Sequence, residues 1–171
     1  MPYLKRLALG GGAAAGHASL AGIALALRAL GALLGRAVSP GELRFGRGEK
    51  PRLAATAAAR AAGADFSISH SGPWVGCAAV ACGRVGFDVE LGSSEGVAAW
   101  VAREAALKAC GAGIRALREV RLRESGARCA GVLWHGRALA LFPGASACVM
   151  TSEAVREVSA RALTLEELFA R

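Results

Sequence analysis

Asp88 and Glu90 stand two positions apart in VGFDVE (85–90), in a chain that holds only one other aspartate, Asp65. Val85, Phe87 and Val89 alternate with them at the two-residue period of a β-strand, which puts both acids on one face. Along an extended chain their Cα atoms lie about 6.5–7 Å apart, near enough for both carboxylates to lean on one ion. At a separation of about 4 Å the two charges would repel by roughly 4 kcal/mol at an effective dielectric near 20. A divalent cation reverses that sign, and oxygen donors alone suit Mg²⁺ or Mn²⁺ better than zinc. Two solvated acids on an open sheet face are the plainer alternative.

A second group lies in WVAREAALK (100–108), where Trp100, Arg103, Glu104, Leu107 and Lys108 recur at helical steps and form one stripe. The stripe carries an aromatic anchor, a carboxylate fit to be a third metal ligand, and an ammonium group fit to meet a phosphate oxygen. The same spacing also describes an ordinary Glu104–Lys108 surface pair, which contributes about 0.2–0.5 kcal/mol. A third group is Ser69, His70 and Ser71 in FSISHSGPW (66–74), where a strand gives way to a turn. Its hydroxyls, imidazole and backbone N–H groups suit an anion. A Ser69–His70 nucleophilic dyad is a poor alternative, because neighbours on a strand point to opposite faces and no G-x-S-x-G surrounds them.

The elements that must position these groups can be read outward from them. DFSISH (65–70), WVGCAAVAC (74–82) and VGFDVE are three strand candidates, the first two separated by SGP, with a hairpin expected at Gly83 between the second and third. The helix that follows has Ser93 or Ser94 as its cap, Glu95 in its first turn, and Gly111 and Gly113 at its end. Upstream, Leu20, Ile23, Leu27, Leu30 and Leu34 predict a helix closed by VSPGE (38–42). LRFGRGEKPRL (43–53) reads as a short extended piece and a basic turn, and AATAAARAAG (54–63) as helical by propensity. From Val120 onward VRLRES, RCAGVLWHG, ALALFPG, ACVMTS and VSARALT read as short strands, with a last helical turn near Leu165–Phe169. This order predicts an α+β fold with antiparallel sheets.

The 171 residues are enough for one domain with a sizeable core, and 54% of them are hydrophobic, which excludes general disorder. A net charge of +8 suits an anionic partner without choosing among nucleic acid, polyphosphate and acidic protein. Five cysteines with no C-x-x-C pair fit a reducing cytoplasm rather than a disulfide framework. Leu7–Leu27 lacks Lys, Arg, Asp and Glu and follows Lys5–Arg6, loosely like a signal or membrane segment. Its Ala/Gly composition and His17 argue against export or membrane insertion.

Taken in order, GEKP (48–51), FSISHSGPWVGCA (66–78), VGFDVE (85–90) and WVAREAALKACGAG (100–113) resemble the motif series of 4′-phosphopantetheinyl transferases. The likeness is to the pseudo-dimeric, Sfp-type branch. The connection Leu91–Ala99 is shorter than that branch usually carries, which would make this a compact member. The resemblance implies one domain over 1–171. It would hold two similar lobes, about 1–83 and 84–171, each with an antiparallel sheet and a packed helix, related by a pseudo-twofold with coenzyme A between them.

It implies Mg²⁺-dependent transfer of the phosphopantetheine arm of CoA to a serine of an acyl or peptidyl carrier protein, releasing adenosine 3′,5′-bisphosphate. In that scheme Asp88, Glu90 and Glu104 match the metal-binding carboxylates, and Glu104 the base that takes the serine proton. Lys108 matches the lysine that meets the pyrophosphate, and Lys50 that of the G-K-P motif on the nucleotide side. Ser69 and His70 match CoA-phosphate contacts, His70 to the 3′-phosphate, which His17 and Ser19 on the first helix would also approach. A cytoplasmic monomer is expected, with no membrane or nucleic-acid partner. Two other readings stay open: a relative that binds CoA without transferring the arm, and a basic nucleic-acid module. The latter has no recognisable motif, and only 5% of residues are aromatic.

Overall fold

A computed structural model describes residues 3–8, 15–46, 49–54 and 63–169, with side chains from Ala18 onward within these ranges. In chain order the strands are β1 (Tyr3–Ala8), β2 (Leu43–Arg44), β3 (Arg52–Leu53), β4 (Asp65–Ser71), β5 (Trp74–Val80) and β6 (Val85–Leu91). They continue as β7 (Arg121–Arg123), β8 (Gly126–Cys129), β9 (Val132–Ala138), β10 (Ala145–Thr151) and β11 (Ser159–Leu163). The helices are α1 (Ala15–Leu34), α2 (Glu95–Cys110) and the short α3 (Leu165–Phe169). The expected alanine-rich helix falls largely on residues 55–62, outside the described residues.

The fold is α+β with mainly antiparallel sheets. One sheet has the order β11-β1-β5-β4, the other β6-β10-β9-β8-β7, and β2 with β3 forms a small ribbon. Both sheets repeat a plan. The strand that opens each half is antiparallel to the second strand of a later hairpin: β1 lies beside β5 of β4–β5, and β6 beside β10 of β9–β10. Each opening strand leads on to a long helix. The chain end does not stay with the second sheet: β11 pairs with β1 in parallel, Tyr3 opposite Ser159. The expected hairpin at Gly83 is not one. β5 pairs with β4 and β1 while β6 pairs with β10, so this turn carries the chain from one sheet to the other.

Helix α1 sits where its apolar stripe predicts, but its buried face is turned. Ala18, Ala21, Leu25, Ala26, Ala29 and Leu30 are buried, whereas Leu20 is 59% exposed. Small side chains let the helix approach the sheet closely; a Cβ on Gly22 would come within 2.7 Å of the Ile68 side chain. Beyond Ala138, which ends β9, the apolar run ALALFPG is a loop, not a strand. Its Phe142 is buried, edge-on to Trp74 with ring centroids 5.7 Å apart, in the core shared by β5, β6 and β10.

The edges of the two sheets meet at β4 and β6 through side chains. The Val85 N–H donates to Asp65 Oδ2 at 2.8 Å, Phe87 N–H to Ser67 Oγ at 3.0 Å and Leu91 N–H to Ser71 Oγ at 3.2 Å. The constant offset of 20 residues means that the two strands run parallel. Alternate short polar side chains on β4 thus do for Val85, Phe87 and Leu91 of β6 what a neighbouring backbone would do.

Gly86 sets the distance between β6 and α2. A Cβ there would lie 1.9 Å from the Ala105 carbonyl oxygen and 2.4 Å from the Ala109 nitrogen, both backbone atoms that cannot rotate away. Gly86→Ala is therefore expected to push α2 off the sheet, with a loss of at least about 3 kcal/mol, the upper end of overpacking. Urea unfolding measures it, and a loss under about 1 kcal/mol would mean that the helix is not seated this tightly.

Candidate functional site

The site is built on the seam and on α2. Val97 N–H donates to Ser94 Oγ at 3.4 Å, which fixes the start of α2, and Gly111 ends it at φ 75°, a conformation glycine adopts without strain. Between these ends the helix buries Val101, Ala105, Ala106, Leu107 and Ala109. The stripe with Glu104 and Lys108 lies at the border of that face. Trp100, the aromatic residue of that stripe, is 41% exposed.

Asp88 is only 2% exposed. Its Oδ1 accepts hydrogen bonds from Ser69 Oγ and from Lys108 Nζ, both at 2.7 Å, and Lys108 also donates to Ser69 Oγ at 2.9 Å. The three form a closed triangle of strand, strand and helix. Across β10 the residue opposite Asp88 is Cys148, whose thiol burial pushes up to about 12, so it remains neutral. Asp88 Oδ2 is buried and has no hydrogen-bond partner. A buried carboxylate oxygen without a donor is costly, and it is an open position for a cation.

Glu90 is half-buried and held from β4, where Ser71 Oγ donates to its Oε2 at 2.7 Å. Glu104 is half-buried too. Burial first, then the Asp88 charge, and more weakly Glu90, raise its pKa, while Lys108 pulls the other way. The three carboxylates therefore feel one another. They do not meet at one point, however: among the described residues no three His, Cys, Asp or Glu converge closely enough to hold a metal ion. Ser71 engages Glu90, and Ser69 with Lys108 engages Asp88 Oδ1, so each strand carboxylate is tethered by its own serine. The orphaned anionic oxygen and the carboxylate and hydroxyl oxygens near it suit a hard cation, with the Lys108 ammonium already on Asp88 Oδ1.

Beside this cluster lies a cavity of about 750 Å³, walled by Glu49–Ala54 with β3, by β4, Arg84, and the end of α2 with the Gly111–Ile114 turn. Glu104 and Lys108 line it, so Lys108 joins the Asp88 triangle to the open space. Lys50 lines it too, but its ammonium is already engaged. It forms an ion pair with Asp65 and donates to the Val85 carbonyl at 2.6 Å, and burial lowers its pKa. Lys50 thus ties the ribbon to both edge strands. Arg52 and Arg84, in contrast, have no acidic partner among the described residues.

The remaining expected phosphate contacts are placed differently. Ser69 faces Asp88, whereas His70, its neighbour on the strand, is exposed on the other face of β4 and does not line the cavity. Ser19 is exposed on α1, and the His17 side chain lies outside the described residues. Asp65 and Ser67 join the seam without having been expected there, and Ser71, expected with Ser69 and His70 at an anion-binding corner, instead donates to Glu90. Their signal was present: Asp65, Ser67, Ser69 and Ser71 are short polar residues at period two between apolar Phe66 and Ile68.

No protein-family model matches the chain, and a search of curated proteins found no match.

Proposed function

We propose that the protein is a compact 4′-phosphopantetheinyl transferase, which moves the phosphopantetheine arm of CoA to a serine of an acyl or peptidyl carrier protein. The observation that carries this reading is the buried Asp88. Its Oδ2 has no donor, its Oδ1 is tied through Ser69 to Lys108, and Lys108 and Glu104 face a 750 Å³ cavity. That combination suits a diphosphate ester, whose charge needs fixed cations and whose attacking alcohol needs a base. The repeated plan of the two sheets supports two lobes related by a pseudo-twofold, with the β4–β6 seam between them.

Asp88, Glu90 and Glu104 would hold Mg²⁺, or Mn²⁺. When bound, the ion supplies Lewis-acid neutralisation of charge on the pyrophosphate. The residues of the chain do the rest. Glu104, its pKa raised chiefly by burial, is a stronger base than an exposed glutamate and takes the proton from the carrier serine. The serine oxygen forms its bond to the β-phosphorus as the bond to the adenosine bisphosphate oxygen breaks. The Lys108 ammonium meets the charge that builds on the departing phosphate. Lys50, fixed by Asp65, keeps the ribbon wall of the nucleotide end in place. The partner is then an acidic carrier on a surface of net charge +8, and a cytoplasmic monomer is the expected form.

Incubation with CoA, Mg²⁺ and a panel of apo-carrier proteins, followed by intact mass, tests this. At least one carrier should gain the mass of the phosphopantetheine arm. CoA binding by calorimetry without any mass gain would identify a relative that keeps the cavity without the chemistry. Salt-sensitive DNA binding that CoA does not displace would favour a nucleic-acid module instead.

A further inference from the structure

We infer that Cys110 and Cys129 are a redox pair that a peroxide converts to a disulfide, stapling the end of α2 to β8 beside the cavity. The inference is independent of the reaction proposed above. The two Sγ atoms lie 2.9 Å apart, joined as donor and acceptor, on residues 19 apart in sequence. That is closer than two sulfurs ordinarily rest, and about 1 Å from the ~2.05 Å of a disulfide bond. Both cysteines are free thiols; Cys129 is buried and Cys110 is partly open to solvent.

Their surroundings prevent drift apart. Cys110 Sγ contacts the Leu107 carbonyl at 3.5 Å in the last turn of α2. Trp134 Nε1 donates to the Cys129 carbonyl at 3.4 Å, and Ala130, the next residue, holds φ at 51° in the tight turn to β9. Gly111–Ile114 of the cavity wall follow Cys110 directly, and Lys108 stands two residues before it. A bond at Cys110 therefore fixes the piece of chain that closes the cavity.

The chemistry balances with hydrogen peroxide as the two-electron oxidant. Cys110, the more accessible, attacks a peroxide oxygen; the O–O bond breaks, the thiol proton leaves with the hydroxide as water, and a sulfenic acid remains. The Cys129 sulfur then displaces the sulfenic hydroxyl, which departs as a second water with the Cys129 proton. Burial and the Cys110 hydrogen bond push the Cys129 thiol up to about 12, which makes this second step slow. The pair thus answers sustained oxidation, not a brief pulse.

The full chain is treated with hydrogen peroxide, then alkylated and digested with trypsin under non-reducing conditions. Expected is a monomer lighter by two hydrogens, with residues 109–115 cross-linked to residues 129–137. Its Tm should rise by roughly 5–10 °C and return on adding dithiothreitol. Cys110→Ser should abolish the cross-link and the Tm shift, whereas Cys82→Ser, at an exposed cysteine, should keep both. The inference is overturned if the chain stays at its reduced mass, if only Cys82-linked dimers form, or if Cys110→Ser still loses two hydrogens.

Discussion

Asp88→Asn is expected to lower carrier loading by at least about a thousandfold while the chain stays folded. Asparagine keeps the shape of aspartate and can still accept from Ser69, so the seam at Ser67–Phe87 and Ser71–Leu91 is untouched. What disappears is the negative charge under Lys108 and the anionic Oδ2 that nothing else occupies. Lys108 is 28% exposed and can turn to water, so the loss of its partner does not strand a buried cation. Two readouts separate chemistry from folding. Wild-type Tm should rise by about 5–10 °C with Mg²⁺ at ~100 times its Kd, and Asp88→Asn should lose that rise. Intact-mass assays should then find carriers unmodified by the variant. A variant that loads carriers at more than about a tenth of the wild-type rate would mean that Asp88 has only a structural part.

Why the sequence led to Asp88 but not to its surroundings is a matter of range. The α2 helix announces itself locally, because Ser94, Glu95 and Gly111 are cap and dipole residues acting within one turn. Strands β4, β5 and β6 do so as well, through alternation and bounding turns. Partnership is another matter. The Cys82–Gly83–Arg84 turn has the same composition whether β6 folds back on β5 or crosses to β10, and only pairing with residues 145–151 decides it. The strand β1 has partners more than 60 residues away at β5 and over 150 away at β11, beyond any local pattern. The α1 stripe misled because size was ranked by hydrophobicity; alanines faced the sheet since closeness, not bulk, was required. In the site, Glu104 and Lys108 fell on the same border as expected, but no spacing rule could tell that Lys108 would bond Asp88, or that Ser71 would claim Glu90. Ser69 and His70 lie on opposite faces of β4, as neighbours on a strand must.

Glu104→Gln is expected to make the protein more stable and at the same time inactive. Burial, with the nearby Asp88 charge, raises the Glu104 pKa in the folded chain above its ordinary 4.5. A raised folded pKa means that the folded state holds the proton more tightly than the unfolded one. The associated stability is fully present below about pH 4.5, where Glu104 is neutral in both states, and is lost as pH rises through the folded value. At pH 7 to 8 the carboxylate is thus a burden on the fold, which glutamine removes. The variant should melt higher than wild type there, and the difference should vanish toward pH 4. Carrier loading should fall by about 10²–10⁴-fold, as when a general base is deleted. Calorimetric melts at both pH values decide the matter. A Tm for Glu104→Gln at or below wild type at pH 7.5 would show that the three acids do not crowd one another, and the stored repulsion that a bound cation would relieve would then be absent.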